Sequence, residues 1–425
     1  MLKGSQLILA AYRVLTWVMM PSIYAYLVYR RQKGKEDPLR FNERLGWATQ
    51  PRPAGKIFWI HAASVGESLS VLPLIQRLSD TYPGVTMLIT TVTVNSARMM
   101  AERLPQNAIH QFVPVDQPMA VHGFLEYWQP DIAIWVESEL WPCLIDRAAE
   151  HCPVILINAR MSDHSYRRWN YVRAFSRAVL SRFTYVLGQT ERDTDRYQQL
   201  GAKSVFYSGN IKYDAPPLPA NMDTVTEISQ QLGDRPVWLA ASTHADEEVQ
   251  IAAVHRKLIA DYPTLLTIIV PRHPKRADEI MQAIGKDTVV ARRSTRDKIT
   301  QETGIYLADT MGELGIFYTI APIVFIGGTL VPHGGQNPLE PARLGCAILY
   351  GPHMENFLEI RAAFQKNHAS VEVQNASQLT DAVHRLLKNK PECHQLAEAA
   401  AHVVTQQSGA LTVVCQYVAR ALEGT

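Results

Sequence analysis

Short apolar runs rich in Ile, Val and Leu recur along this chain, spaced by stretches long enough for a helix, and few folds accommodate that alternation. In the first half the runs are Ile57–Ala62, Thr86–Thr91, Asp131–Val136, Pro153–Asn158 and Thr184–Leu187. Uninterrupted runs of this kind suit strands buried on both faces of a parallel sheet. Segments such as Ser68–Tyr82 and Asn95–Leu104 are long enough for the crossover helices between them. The series restarts with Pro236–Ala241, Leu265–Val270, Gly304–Leu307, Pro322–Ile326 and Cys346–Tyr350. Between the two series lies Asp214–Pro219, whose prolines resist both helix and sheet and mark a linker. The pattern predicts an α/β protein of two doubly wound Rossmann-like domains facing a cleft, with ligands at the carboxyl ends of the strands. Residues 1–35 form an N-terminal segment, 36–213 the first domain and 214–425 the second. The helical pattern from Ala397 onward is placed to pack back across the linker.

A chain of 425 residues is too long for one ordinary core. With 47% hydrophobic and 19% charged residues it is globular, and a net charge of +2 is too small to make nucleic acid its main partner. Five scattered cysteines without C-x-x-C spacing fit a reducing compartment, and no His/Cys cluster has metal-ligand spacing. The N-terminus departs from this picture. Leu7–Val28 is apolar except for Arg13, carries interface-type aromatics (Tyr12, Trp17, Tyr24, Tyr26) and is followed by Arg30, Arg31, Lys33 and Lys35. It predicts membrane attachment with the remaining chain on the cytoplasmic side, the helix either crossing the bilayer or lying along it with Arg13 snorkelling. No basic n-region or small-residue cleavage site frames it as a signal peptide.

Candidate chemistry gathers just beyond predicted strand ends. The apolar run Ile323–Gly328 leads to G-G-Q-N-P-L-E-P, Gly334–Pro341, where a helix opening at Pro338 would aim free N–H groups at a phosphate and Glu340 would accept from ligand hydroxyls. In H-A-A-S-V-G-E-S, His61–Ser68, Gly66 allows a sharp turn and Glu67 is either a general base or a carboxylate complementing its helix dipole. V-E-S-E-L-W-P places Glu137 and Glu139 beside Trp141 at a strand end. Lys212 of S-G-N-I-K reaches across the cleft as a cation or is a solvated edge lysine. Arg272 of P-R-H-P suits bidentate phosphate contact; Ser242-Thr243-His244 and D-T-M-G-E-L, Asp309–Leu314, also follow strands. In the latter, Gly312 and Glu313 would open a helix near a nucleotide base.

Taken in this order behind the apolar N-terminus, these motifs resemble the 3-deoxy-D-manno-octulosonic acid (Kdo) transferase family across nearly the whole chain. The resemblance implies a GT-B fold, CMP-Kdo as donor, the lipid A precursor lipid IVA as acceptor, inverting transfer, and a place on the cytoplasmic side of the inner membrane in lipopolysaccharide synthesis. It implies Glu67 as proton acceptor, with Glu137 and Lys212 stabilising the transition state. Arg272, His273, Met311, Gly312, Glu313, Asn337, Pro338, Leu339 and Glu340 match the family's CMP-binding segments. On the acceptor side stand Ser64 and Gly66, and Glu43 and Arg44 of F-N-E-R-L-G belong either there or to structure. Cys143 after the ELWP segment and Pro341 after Glu340 depart from the family pattern without touching a catalytic atom. The chemistry agrees: an attacking hydroxyl needs a carboxylate to take its proton, and a departing CMP needs cations, with no cofactor and no metal called for. Another GT-B enzyme, such as a UDP-sugar transferase or epimerase, and a membrane-tethered nucleotide-binding protein are the competing readings.

Overall fold

The computed structural model describes residues 4–285 and 287–424; residues 1–3 of the expected anchor, and Lys286 and Thr425 of the expected second domain, lie outside it. The chain divides into two compact units, Met1–Ala215 with Gln407–Thr425, and Pro216–Gln406. Each is built on one seven-stranded parallel sheet.

In the first unit the strands are β1 (Ile57–His61), β2 (Thr86–Thr91), β3 (Ala108–Phe112), β4 (Ile132–Val136), β5 (Val154–Ala159), β6 (Tyr185–Gly188) and β7 (Val205–Tyr207), in the order β3-β2-β1-β4-β5-β6-β7. Alternate side chains of one strand enter opposite cores. Ile57 and Trp59 pack with Trp135 and Leu156, whereas Phe58 and Ile60 pack with Ile134 and Ile157. Both faces are covered, which is why these runs carry no polar alternation. The final helix, Ala410–Glu423, closes the second of these cores with Leu411, Val414, Val418 and Ala421, one helical face.

The second unit contains β8 (Val237–Thr243), β9 (Leu266–Pro271), β10 (Val290–Arg292), β11 (Ile305–Leu307), β12 (Ile323–Ile326), β13 (Ala347–Tyr350) and β14 (Val371–Glu372), in the order β10-β11-β9-β8-β12-β13-β14. In both sheets the winding reverses beside the first strand, between β1 and β4 and between β8 and β12. A doubly wound sheet opens a crevice at that reversal, above the carboxyl ends of the strands.

The expected continuous N-terminal helix is corrected. Two helices, Gly4–Val18 and Met20–Gln32, meet at a 58° bend, and among the described residues no single helix is long and apolar enough to cross a membrane. Pro21 lies in the opening turn of the second helix, where its missing N–H is tolerated and a continuing helix would have needed one. Nor does Arg13 snorkel: it pairs with Asp146 at 3.1 Å, while Leu9 is buried and the Tyr12 hydroxyl donates to Asp116 at 2.8 Å. The residues that dock recur every three or four positions. Leu7, Val14, Leu15, Trp17 and Val18 stay exposed.

Candidate functional site

At the reversal of the first sheet, β1 leads into the helix Val65–Thr81 and β4 leads to Glu137. Ser64 caps that helix by accepting from the N–H of Glu67 at 3.3 Å, and its hydroxyl donates back to Glu67 Oε1 at 2.8 Å. The N–H of Ala63 donates to Oε2 at 2.9 Å, so both carboxylate oxygens are oriented by a capping box. The dipole-complementing role is therefore real, and it coexists with an unusual titration. Glu67 is only 8% exposed. Burial pushes its pKa up to about 7, the charges of Glu137 and Glu139 push the same way, and the bonds from Ser64 and Ala63 oppose them. Gly66 lies inside the helix with nothing within 4 Å of where a Cβ would stand, and the expected sharp turn is absent.

Lys212 does not reach out alone as expected. Its Nζ donates to Glu137 Oε1 at 2.8 Å within the same unit. Two left-handed residues build this pairing, Glu137 (φ 61°) and the fully buried Asn158 (φ 51°) at the end of β5. Asn158 Oδ1 accepts from the N–H of Ile211 at 3.1 Å, and Asn210 Oδ1 accepts from the N–H of Lys212 at 3.0 Å. Gln189 Nε2 donates to the Asn158 carbonyl at 2.9 Å and ties β6 to the same corner. Strained backbone retained at a functional site is over-determined by its surroundings, as here. Neither Asn158 nor Gln189 is singled out by the sequence alone. The I-N-A-R run at the end of β5 was the available signal, and its meaning depends on a contact 53 residues away. Glu139 is held by Trp141 Nε1 at 2.8 Å.

The contacts of Glu43 and Arg44 fit the structural one of their two readings. Glu43 takes two bonds from Arg40 at 2.9 Å and one from the N–H of Phe112 at 2.7 Å, and is 1% exposed. Arg44 is buried, donates to the Val113 carbonyl and faces Glu36 at 3.5 Å. Gly46 closes the motif with φ 90°, and a Cβ there would stand 2.0 Å from the Ala120 carbonyl oxygen. Only glycine fits.

In the second unit the expected nucleotide-contacting residues all follow carboxyl ends of strands. Arg272 and His273 come directly after β9, and both are exposed. Met311, Gly312 and Glu313 follow β11 and precede the helix Leu314–Ile320. Glu313 is held below the usual carboxylate range by a two-pronged pairing with Arg293, at 2.8 and 3.1 Å, a partner not anticipated from the sequence. Asn337 and Pro338 follow the β12 loop. The helix begins one residue later than expected, at Leu339, and runs only to Arg343. Asn337 Oδ1 accepts the N–H of Leu339 at 3.1 Å and its amide donates to Glu340 at 3.3 Å. A five-residue helix has little dipole to offer, so the binding capacity here rests on side chains.

The loop glycines are also committed inward. The N–H groups of Gly328, Thr329 and Leu330 donate to the buried carboxylate of Glu247 at 2.6–3.0 Å, as does that of His244 at 3.0 Å. Gly327 passes so close to β8 that a Cβ would stand 2.4 Å from the Ser242 carbonyl oxygen. Glu247 thus shapes the loop on which the following residues are displayed.

The family described as "3-Deoxy-D-manno-octulosonic-acid transferase (kdotransferase)" matches residues 39–215. The 3-deoxy-D-manno-octulosonic acid transferase of Rickettsia bellii is 34% identical over 377 residues, 88% of this chain and 90% of that protein. The crystal structure of the C-terminal CMP-Kdo binding domain of WaaA from Acinetobacter baumannii is 35% identical, covers 43% of this chain and 97% of that one, and has a TM-score of 0.42. UDP-GlcNAc 2-epimerase from Neisseria meningitidis, 14% identical with a TM-score of 0.56, covers 86% of this chain and 100% of its own, and shares the GT-B fold.

Proposed function

The chain belongs to the Kdo transferase family of glycosyltransferases, and on that premise we propose that it moves Kdo from CMP-Kdo to lipid IVA in lipopolysaccharide synthesis, with Glu67 as general base. The observation that carries this reading is the buried, doubly oriented carboxylate of Glu67 at the first sheet's reversal, with a pKa pushed up to about 7. A base titrating near the working pH is both available and strong enough to take a proton as an alcohol attacks. In a single inverting displacement the acceptor hydroxyl oxygen bonds to the anomeric carbon while the bond from that carbon to the phosphate oxygen breaks. The hydroxyl proton passes to Glu67 and CMP leaves with the electron pair.

Lys212, fixed on Glu137, supplies a positive charge held in place before the reaction, where it costs no reorganisation as charge develops. In the second unit Arg272 and His273, exposed and with no carboxylate partner among the described residues, are suited to the phosphate, while Glu340 suits the ribose hydroxyls and the Met311–Glu313 segment the base. CMP leaves as a stable phosphate monoester, so the step as written requires no metal; we expect activity to persist in EDTA. For attachment, the exposed Leu7, Val14, Leu15, Trp17 and Val18 with the basic run from Arg30 suit a helix pair lying on the cytoplasmic face of the inner membrane.

The test is incubation of the full chain with CMP-Kdo and lipid IVA, read by mass spectrometry. We expect a Kdo-bearing product from the natural protein and a turnover loss of about 10²–10⁴ in Glu67→Gln with CMP binding preserved. Glu43→Gln is the matched control, and should lower thermal stability while leaving turnover per folded molecule intact. Inactive Glu43→Gln beside active Glu67→Gln would move the base role to Glu43.

A further inference from the structure

The reversal of the second sheet, between β8 and β12, is occupied by imidazoles. His244 follows β8, and its ring stacks on that of His333 from the β12 loop, with centroids 4.2 Å apart and planes 19° from parallel. His273, after β9, stands edge-on to His244 at 6.0 Å. The Gln336 amide lies 3.3 Å from His244 Nε2. Gly328 makes room for the stack: a Cβ there would meet the His244 ring at 3.1 Å.

Among the described residues no carboxylate bonds to any of these three rings. Of the carboxylates that follow His244, Glu247 is spent on four backbone N–H groups and Glu248 on Arg276 and the Thr243 hydroxyl, while Asp246 is exposed and makes no bond to the three rings among the described residues. The groups acting electrostatically on His244 are His333, His273, Arg272 and Arg276, all of one sign. Burial first, and these neighbours second, depress His244 to about 4. Arg276 is already paired with Glu248, but His244, His333, His273 and Arg272 meet at the crevice with no carboxylate bonded to them among the described residues, an arrangement that favours a bound anion.

The donor read into this unit carries two anions. One is the phosphodiester, for which Arg272 is suited. The other belongs to the sugar, which is an octulosonic acid and so bears a carboxylate beside the reacting carbon. We propose that the stacked His244–His333 pair, completed by His273, is the subsite that holds the carboxylate of the transferred sugar and so selects an acidic sugar over a neutral one. The inference rests on the donor reading given above and adds to it the group that distinguishes whole donor from bare nucleotide.

That distinction supplies the test. In the full chain, kcat/KM for CMP-Kdo and the inhibition constant of CMP are measured for the natural protein, His333→Ala and His244→Ala. We expect kcat/KM for the donor to fall about ten- to a hundredfold in each variant, as for loss of one charge-assisted contact, while CMP inhibits within a factor of about two of its original strength. If donor use and CMP inhibition weaken together, or neither changes, the carboxylate subsite is wrong although the nucleotide site stands. If CMP fails to inhibit the natural protein, the donor reading falls and the subsite with it. His333 is exposed, so its variant carries the test alone should His244→Ala fail to fold.

Discussion

Glu67 serves its helix and, as the proposed base, the reaction through the same two hydrogen bonds. The Ser64 hydroxyl caps the helix and at the same time restrains the carboxylate's pKa. Ser64→Ala therefore has two separable consequences. Loss of the cap should cost about 1 kcal/mol of stability, seen as a lower thermal midpoint. Loss of a bond that favours the anion should raise the Glu67 pKa further above about 7. Because the base must be deprotonated to act, activity is lost as pH falls through that pKa, and the acidic limb of kcat/KM should move to higher pH in the variant. A limb that stays in place would assign it to another group. Glu67 and Glu137 were legible as charged residues past apolar runs, and Lys212 from the S-G-N-I-K motif before the linker. That Lys212 is bound to Glu137 was not, because the contact spans 75 residues and depends on the left-handed backbone of Asn158 and Glu137. Glu43 shows the converse: a carboxylate in a suggestive motif, readable as acceptor-side or structural, is an internal partner of Arg40 and Phe112.

At the scale of elements, the strands missing from the sequence reading were β3, β7, β10 and β14, and these are the four edges of the two sheets. An edge strand has one neighbour, buries less and tolerates polar or short sequence, so it lacks the apolar run that betrays a central strand. His110 and Gln111 in β3 and Arg292 in β10 illustrate this. That the first N-terminal helix docks on the protein was missed for a related reason: hydropathy counts apolar residues without regard to the face they occupy. Leu9, Tyr12 and Arg13 hold the first helix to the protein, and deleting it would also uncover that contact. The sharper test is Trp17→Ser with Val18→Ser, both on the exposed side. Co-sedimentation with anionic phospholipid vesicles should fall several-fold while the thermal midpoint holds. Unchanged co-sedimentation would place the membrane contact elsewhere.

For the whole molecule, the chain leaves its first unit at Ala215 and returns to it at Gln407, so the last helix completes a core begun some 350 residues earlier. Burying a Val or Leu side chain contributes about 1.5–3 kcal/mol. Leu411, Val414 and Val418 together therefore approach the roughly 5–15 kcal/mol that stabilises a typical domain. A chain ending at Gln406 should lose the cooperative unfolding of the first unit and become readily cleaved there by limited proteolysis; retained protection would show that the helix is dispensable. By itself the sequence determined what depends on local chemistry. The run lengths and their apolar content dictated two parallel doubly wound sheets, the prolines of Asp214–Pro219 dictated the break, and the order of motifs at strand ends dictated the family. Tertiary structure alone decided which charges meet: Lys212 with Glu137, Arg293 with Glu313, Glu247 with the β12 loop, His244 with His333. Strand periodicity is written in neighbouring residues, whereas ionisation and pairing depend on burial and on partners that only the folded chain brings together.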